Sequence, residues 1–160
     1  MITGFKKLAK ISGTPGKTQL INHFIINDSW YLVDLPGFGF AKISKKVREK
    51  WESMIHDYLA NRSNLKSTFI LIDSRHEPQK TDLELLRWFG EKELPFVLIF
   101  TKSDKLGTNK LKNNIHAYQK KLLEEWEELP FSLVTSSKTK KGKVELLGFI
   151  GEMNDALNLN

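Results

Sequence analysis

Apolar and polar residues alternate in a way that divides the chain into short β-rich runs and longer helical ones. Candidate strands are Leu20 to Ile26, Trp30 to Asp34, Ser67 to Asp73, Phe96 to Thr101 and Phe131 to Thr135. Asn27-Asp28-Ser29 separates the first two and has the composition of a tight turn, so these strands should form an antiparallel hairpin. The other three are mostly apolar, as in Thr68-Phe69-Ile70-Leu71-Ile72 and Phe96-Val97-Leu98-Ile99-Phe100. Runs of that kind suit parallel strands covered by helices on both faces. Helical stretches fall near Ser44 to Ala60, Thr81 to Glu91, Lys110 to Glu127 and Lys143 to Leu157. In the first of these, Val47, Trp51, Met54, Ile55, Tyr58 and Leu59 recur at intervals of three and four, which makes one apolar stripe for the core. Thr81 with Glu84 three residues later reads as a capping box opening the second helix. The alternation predicts a layered α/β fold.

Composition narrows the setting. With 160 residues and 40% hydrophobic content, residues 1–160 are expected to form a single domain. The chain has no cysteine, which excludes disulfides and thiolate metal sites. No stretch is long and apolar enough for a bilayer, so a cytoplasmic protein without membrane association is expected. A formal charge of +6 and a pI near 9.4 favour a polyanionic partner, with RNA preferred over a membrane. The alternative is that the charge serves solubility alone.

Three short strings carry chemistry. Asp34-Leu35-Pro36-Gly37 follows a strand at its carboxyl end, where open α/β sheets bind ligands. An Asp there can hold magnesium through water, and a Gly N–H can approach a terminal phosphate unobstructed. Thr101-Lys102-Ser103-Asp104 is a variant of the Asn-Lys-x-Asp signature that reads guanine. The Asp104 carboxylate can accept from both the ring N–H and the exocyclic amine of guanine, a donor pair adenine lacks. The Lys102 stem would lie along the base, and Thr101 would tie neighbouring loops together in place of Asn. Val134-Thr135-Ser136-Ser137-Lys138 ends the last strand, where N–H groups around the serines could face the guanine oxygen. Each string alone is weak, but their order along the chain is specific.

Gly13-Thr14-Pro15-Gly16-Lys17-Thr18 looks like the end of a phosphate loop, yet Ile11 stands where G-x-x-x-x-G-K-[ST] needs its first Gly, and no strand precedes it. A first switch segment fits better, with Thr18 offering its hydroxyl to magnesium.

Together, Thr14-Pro15-Gly16-Lys17-Thr18-Gln19, Asp34-Leu35-Pro36-Gly37-Phe38-Gly39-Phe40-Ala41, Asp73-Ser74-Arg75-His76-Glu77-Pro78 with Asp82, and Thr101-Lys102-Ser103-Asp104-Lys105-Leu106 resemble the EngB-type (YihA/YsxC) GTP-binding proteins of the TrmE-Era-EngA-EngB-like GTPase superfamily. The resemblance covers essentially the whole chain. It implies a three-layer P-loop GTPase-type fold with a mixed, mainly parallel sheet, here without its first strand and phosphate loop. It implies that Gly16, Lys17, Thr18, Gln19 and Leu20 line GTP or GDP, that Asp34, Leu35, Pro36 and Gly37 form the second switch, and that Thr101, Lys102, Ser103 and Asp104, helped by Thr135, Ser136 and Ser137, bind guanine. Thr18 would ligate Mg2+ directly and Asp34 through water. Phe38 stands where many GTPases place the Gln that orients water, which implies slow intrinsic hydrolysis or a water positioned by other means, and no catalytic residue is assigned. Arg75 and His76 are expected to be structural or partner-facing.

The implied role is a GTP/GDP switch in large ribosomal subunit assembly, needed for cell division and normal septation. Its partner would be the large subunit (rRNA and proteins), not DNA, and the protein a monomer. Lys42, Lys45, Lys46, Arg48 and Lys50 could contact rRNA phosphates or form a solvated helix face. The family's first strand would sit between the strands ending at Asp34 and Asp73, so the record is expected to be N-terminally truncated, with two strand edges unpaired. A nucleotide-independent basic module that binds RNA or protein stays open as the alternative. Without the phosphate loop, residues 1–160 are expected to bind GDP weakly or not at all, and micromolar binding of labelled GDP would overturn that expectation.

Overall fold

A computed structural model describes residues 21–35 and 45–155. Its elements run β1 (Asn22–Ile26), β2 (Trp30–Asp34), α1 (Lys45–Asn61), β3 (Thr68–Asp73), α2 (Lys80–Glu91), β4 (Phe96–Thr101), α3 (Thr108–Leu122), β5 (Ser132–Val134) and α4 (Lys143–Asp155). β1, β2 and α1 belong to one compact unit, and the described residues from Leu65 onward form a second.

In the first unit the expected hairpin forms, with Asn22 opposite Asp34 and Ile26 opposite Trp30. Asn27 and Asp28 both take positive φ, 50° and 52°, and the Ser29 N–H donates to the Ile26 carbonyl at 3.1 Å. Asn and Asp tolerate this left-handed backbone better than other side chains, which is why the sequence can turn there. Within the same unit, His23 Nε2 lies 3.0 Å from the Tyr58 hydroxyl of α1, joining the hairpin to the helix. Ile55 and Leu59 of the predicted stripe are buried.

The second unit is built on a parallel sheet of order β3-β4-β5. Thr68 to Asp73 pair in register with Phe96 to Thr101, and Leu98 to Phe100 with Ser132 to Val134. β4 is the central strand, and Val97, Leu98, Ile99 and Phe100 are all buried, as a strand covered on both faces should be. β3 departs from that expectation: Ile70 and Ile72 are buried, but Leu71 between them is 69% exposed. Among the described residues β3 pairs on its β4 side alone and β2 on its β1 side alone. Leu86 and Phe89 of α2 and Leu111, Tyr118 and Leu122 of α3 complete the core with Leu146 and Ile150 of α4. Tyr118 packs edge-on against Phe100, with ring centroids 5.5 Å apart, and donates its hydroxyl to Asp82 at 2.7 Å, which holds the start of α2 to α3. Burial, followed by this carboxylate, pushes the Tyr118 phenol well above its ordinary range.

Helix ends differ from the sequence reading in α2 and α3. α2 starts at Lys80 with Gln79 as N-cap and no side-chain cap bond, so Thr81 lies within the first turn and forms no capping box. Glu84 instead reaches Lys80 at 3.6 Å. α3 runs from Thr108 to Leu122, earlier at both ends than Lys110 to Glu127. Gly107 serves as its N-cap, and Glu124, Glu125, Glu127 and Glu128 follow its last turn. Extending the helix would place these carboxylates at the negative end of its dipole, whereas Lys120 and Lys121 suit that end.

Candidate functional site

Parallel register brings the carboxyl ends of β3, β4 and β5 to one edge, so the loops that follow Asp73, Thr101 and Val134 are neighbours. The Ser103 N–H donates to the Thr135 carbonyl at 3.2 Å, and the Thr135 N–H donates to the Phe100 carbonyl at 2.7 Å. Thr101 does tie neighbouring loops together: its hydroxyl donates to the Ile72 carbonyl at 3.0 Å, and its carbonyl accepts from the Ser74 hydroxyl at 2.6 Å. Asn114, buried on α3, donates its amide to the Ser74 carbonyl at 2.8 Å and closes this network from below.

Asp104 lies in the 3-10 turn Ser103–Lys105. Its Oδ1 accepts the hydroxyl of the fully buried Ser136 at 2.6 Å, and Ser136 Oγ in turn accepts the Thr139 N–H at 3.1 Å. The Ser136 bond holds the Asp104 carboxyl below its ordinary pKa, with smaller help from Lys105 and Lys138. Asp104 Oδ2 is closed off from solvent and has no hydrogen-bond partner among the described residues. An ionised oxygen that only accepts, placed in that way, calls for an N–H donor from a ligand.

Lys102 has a left-handed backbone, φ 58°, and extends its Nζ to Asp73 Oδ2 at 2.8 Å. Arg75 grips the same carboxylate, Nε to Oδ1 at 2.9 Å and Nη2 to Oδ2 at 2.6 Å. Arg75, followed by Lys102, holds Asp73 far below the usual carboxylate range. His76 is more exposed, with Nε2 4.0 Å from Asp73. The structural parts played by Asp73, Ser74 and Asn114 were not read from the sequence. The Asp-x-Arg spacing was the visible signal for the first, whereas Asn114 contacts a residue 40 positions away and gives no local sign.

Of the other predicted site residues, Ser103 is buried and Ser137 is exposed in the loop after β5. Asp34 ends β2 with its carboxyl raised above the ordinary value by desolvation, and Leu35 follows it half-buried. Gly16, Lys17, Thr18, Gln19, Leu20, Pro36 and Gly37 lie outside the described residues, as do Phe38 and Lys42. No group of three metal-ligating side chains occurs among the described residues. No described helix is long and apolar enough to cross a membrane.

The loops gathered at the carboxyl edge of this parallel α/β sheet lie where such folds bind ligands, and its relatives place the protein in the GTPase class. A family model described as a 50S ribosome-binding GTPase matches residues 1–102. A probable GTP-binding protein EngB of Porphyromonas gingivalis is 57% identical over 157 residues, covering 98% of this chain and 78% of the relative. One from Bacteroides fragilis is 52% identical over 158 residues, 99% of this chain and 79% of the relative. The crystal structure of a probable GTP-binding protein engB superposes with a TM-score of 0.74 at 22% identity, over 97% of this chain and 89% of that one. The elongation factor SelB of Methanococcus maripaludis, solved with a GTP analogue, superposes at 0.60 and 18% identity over 84% of this chain and 27% of its own. The chain belongs to the EngB family of GTP-binding proteins.

Two outcomes follow from the site geometry. Gly142 has φ 71°, and a β-carbon there would stand 2.4 Å from the Val134 carbonyl oxygen. Gly142→Ala should therefore cost about 1–3 kcal/mol, read as a lower Tm, with amide exchange quickening first around Ser136. Asp73 has a folded pKa below its unfolded value of about 3.9, so its ionised form stabilises the fold; that contribution is whole above about pH 5 and fades as pH falls through the unfolded value. In Asp73→Asn the Tm should fall less between about pH 6 and pH 3 than in the parent chain, and parallel curves would refute it.

Proposed function

We propose that the loops after β4 and β5 bind the guanine of GTP and GDP, and that the protein acts as a GTP/GDP switch in large ribosomal subunit assembly, through which it supports cell division and septation. The observation that carries this reading is Asp104, ionised, with Oδ1 engaged by Ser136 and Oδ2 closed off without a partner. Guanine offers that oxygen an N–H donor, and a base without one would leave a buried acceptor unpaired. The Lys102 stem covers the base, Thr101 braces the loop from β3, and Ser103, Thr135, Ser136 and Ser137 complete the base pocket.

Gly16, Lys17, Thr18, Gln19 and Leu20 line the phosphates as the first switch, and Asp34, Leu35, Pro36 and Gly37 form the second. The donor set suits Mg2+, a hard cation that keeps several waters and needs few protein ligands when phosphate oxygens are present. Thr18 would hold it directly and Asp34 through water, and the ion would neutralise phosphate charge. GTP-dependent ordering of these segments creates the surface for rRNA and ribosomal proteins. The protein works as a cytoplasmic monomer.

Base choice tests the reading. Asp104→Asn exchanges an acceptor for an amide N–H2, which complements the 2-oxo group of xanthine instead of the 2-amino group of guanine. The preference for GDP over XDP should shift by about 100-fold or more towards XDP, measured by competition against a fluorescent nucleotide. An unaltered preference would remove Asp104 from the base site.

A further inference from the structure

β5 separates two segments of opposite charge. Residues 124–128 ahead of it hold four glutamates and no cation, while residues 138–143 after it hold four lysines and no acid. The acidic side is partly paired, Lys121 with Glu124 at 2.9 Å and Arg87 with Glu125 at 2.6 Å. Lys138, Lys140, Lys141 and Lys143 make no ion pair among the described residues, and the first three are exposed.

The lysines stand on a backbone held in one shape. Lys140 and Gly142 both have positive φ, 63° and 71°. The Lys141 carbonyl accepts the Ser136 N–H at 3.1 Å, and the Lys140 carbonyl accepts the Lys143 N–H at 3.2 Å. A fixed backbone reduces the ordering entropy lost when these cations meet a partner. Folding gives no reason for the charge. Lys143 opens α4 and Lys140 and Lys141 precede it, so all three oppose the helix dipole at an end where carboxylates would be favoured.

We propose that the 138–143 loop is a docking surface for the phosphate backbone of a structured RNA, a reading that rests on the ribosomal part of the function proposed above. Unpaired lysines are compact, strongly hydrated point charges that neutralise phosphates without reading sequence. Ser136, which orients Asp104, lies just ahead of this loop and is bonded to it through the Lys141 carbonyl, so RNA docking and base recognition share one piece of backbone. Nucleotide occupancy and RNA binding are thereby placed within reach of each other.

The test compares the parent chain with the triple variant Lys140→Asn, Lys141→Gln, Lys143→Gln, leaving Lys138 in place because its charge acts on Asp104. Asn is chosen at 140 because it accepts the left-handed backbone. Sedimentation with large ribosomal subunits and with protein-free large-subunit rRNA is followed from about 50 to 200 mM salt. The slope of log affinity against log salt should become shallower by about 2 to 3 on both, with GDP binding unchanged. The variant should melt at the same or a higher temperature, since three unfavourable charges leave the start of α4. An unchanged slope overturns the proposal, as does a fall in GDP binding with RNA binding intact, which would assign the lysines to the nucleotide. If the parent chain binds subunits while the variant keeps its slope, this inference alone fails; if the parent binds neither subunits nor rRNA, the ribosomal reading fails with it.

Discussion

The hydrogen bond from Ser136 to Asp104 joins two loops whose residues are 32 positions apart and sets the state of the carboxylate at the edge of the sheet. It occupies one carboxylate oxygen, keeps the group ionised and leaves the other oxygen closed off from water. This arrangement exists only because β4 and β5 are parallel neighbours in one register, with Phe100 opposite Val134. A slip of one residue would turn Phe100 and its neighbours to opposite faces and move Asp104 away from Ser136. The buried apolar run of β4 therefore fixes the chemistry of the loop that follows it, because register is specified most strongly where side chains are buried.

Asp73 performs a related task one strand over. Its two oxygens bind Arg75 and Lys102, so the end of β3 fixes the lysine side chain that extends from the loop after β4. Beneath, the Ser74 hydroxyl and the Asn114 amide satisfy carbonyls at the strand ends. Buried polar groups such as these are costly unless paired, and a completed network makes a loop rigid. The geometry around Asp104 is thus supported from β3, α3 and β5, and its precision comes from elements whose own residues would not touch a ligand.

Most of this fold was legible in the sequence because its strands are long apolar runs, and β4 spans Phe96–Thr101 as the pattern predicts. The hairpin was legible because Asn27-Asp28 supplies the turn chemistry. Helix ends were harder. Thr81 and Glu84 have the spacing of a capping box, but α2 begins at Lys80 with Gln79 as N-cap, so Thr81 stands two positions too late to cap it. The apolar rhythm of α3 continues past Leu122, whereas the cluster of glutamates after it opposes the dipole and stops the helix. At the site, the identity of Asp104 was visible in Thr101-Lys102-Ser103-Asp104, but its partner had to come from the fold. Ser136 is one of two adjacent serines, and only the buried one reaches the carboxylate.

Leu71 raises a different kind of constraint. Its neighbours Ile70 and Ile72 are buried, and β3 is paired on one side alone among the described residues. Exposed apolar side chains on an unpaired strand edge favour pairing with another chain. β3 carries no charged residue before Asp73, so nothing within the strand itself opposes that pairing. The same strand ends in the carboxylate that holds Lys102, which means that any association along its edge would act on the backbone beside the loop after β4.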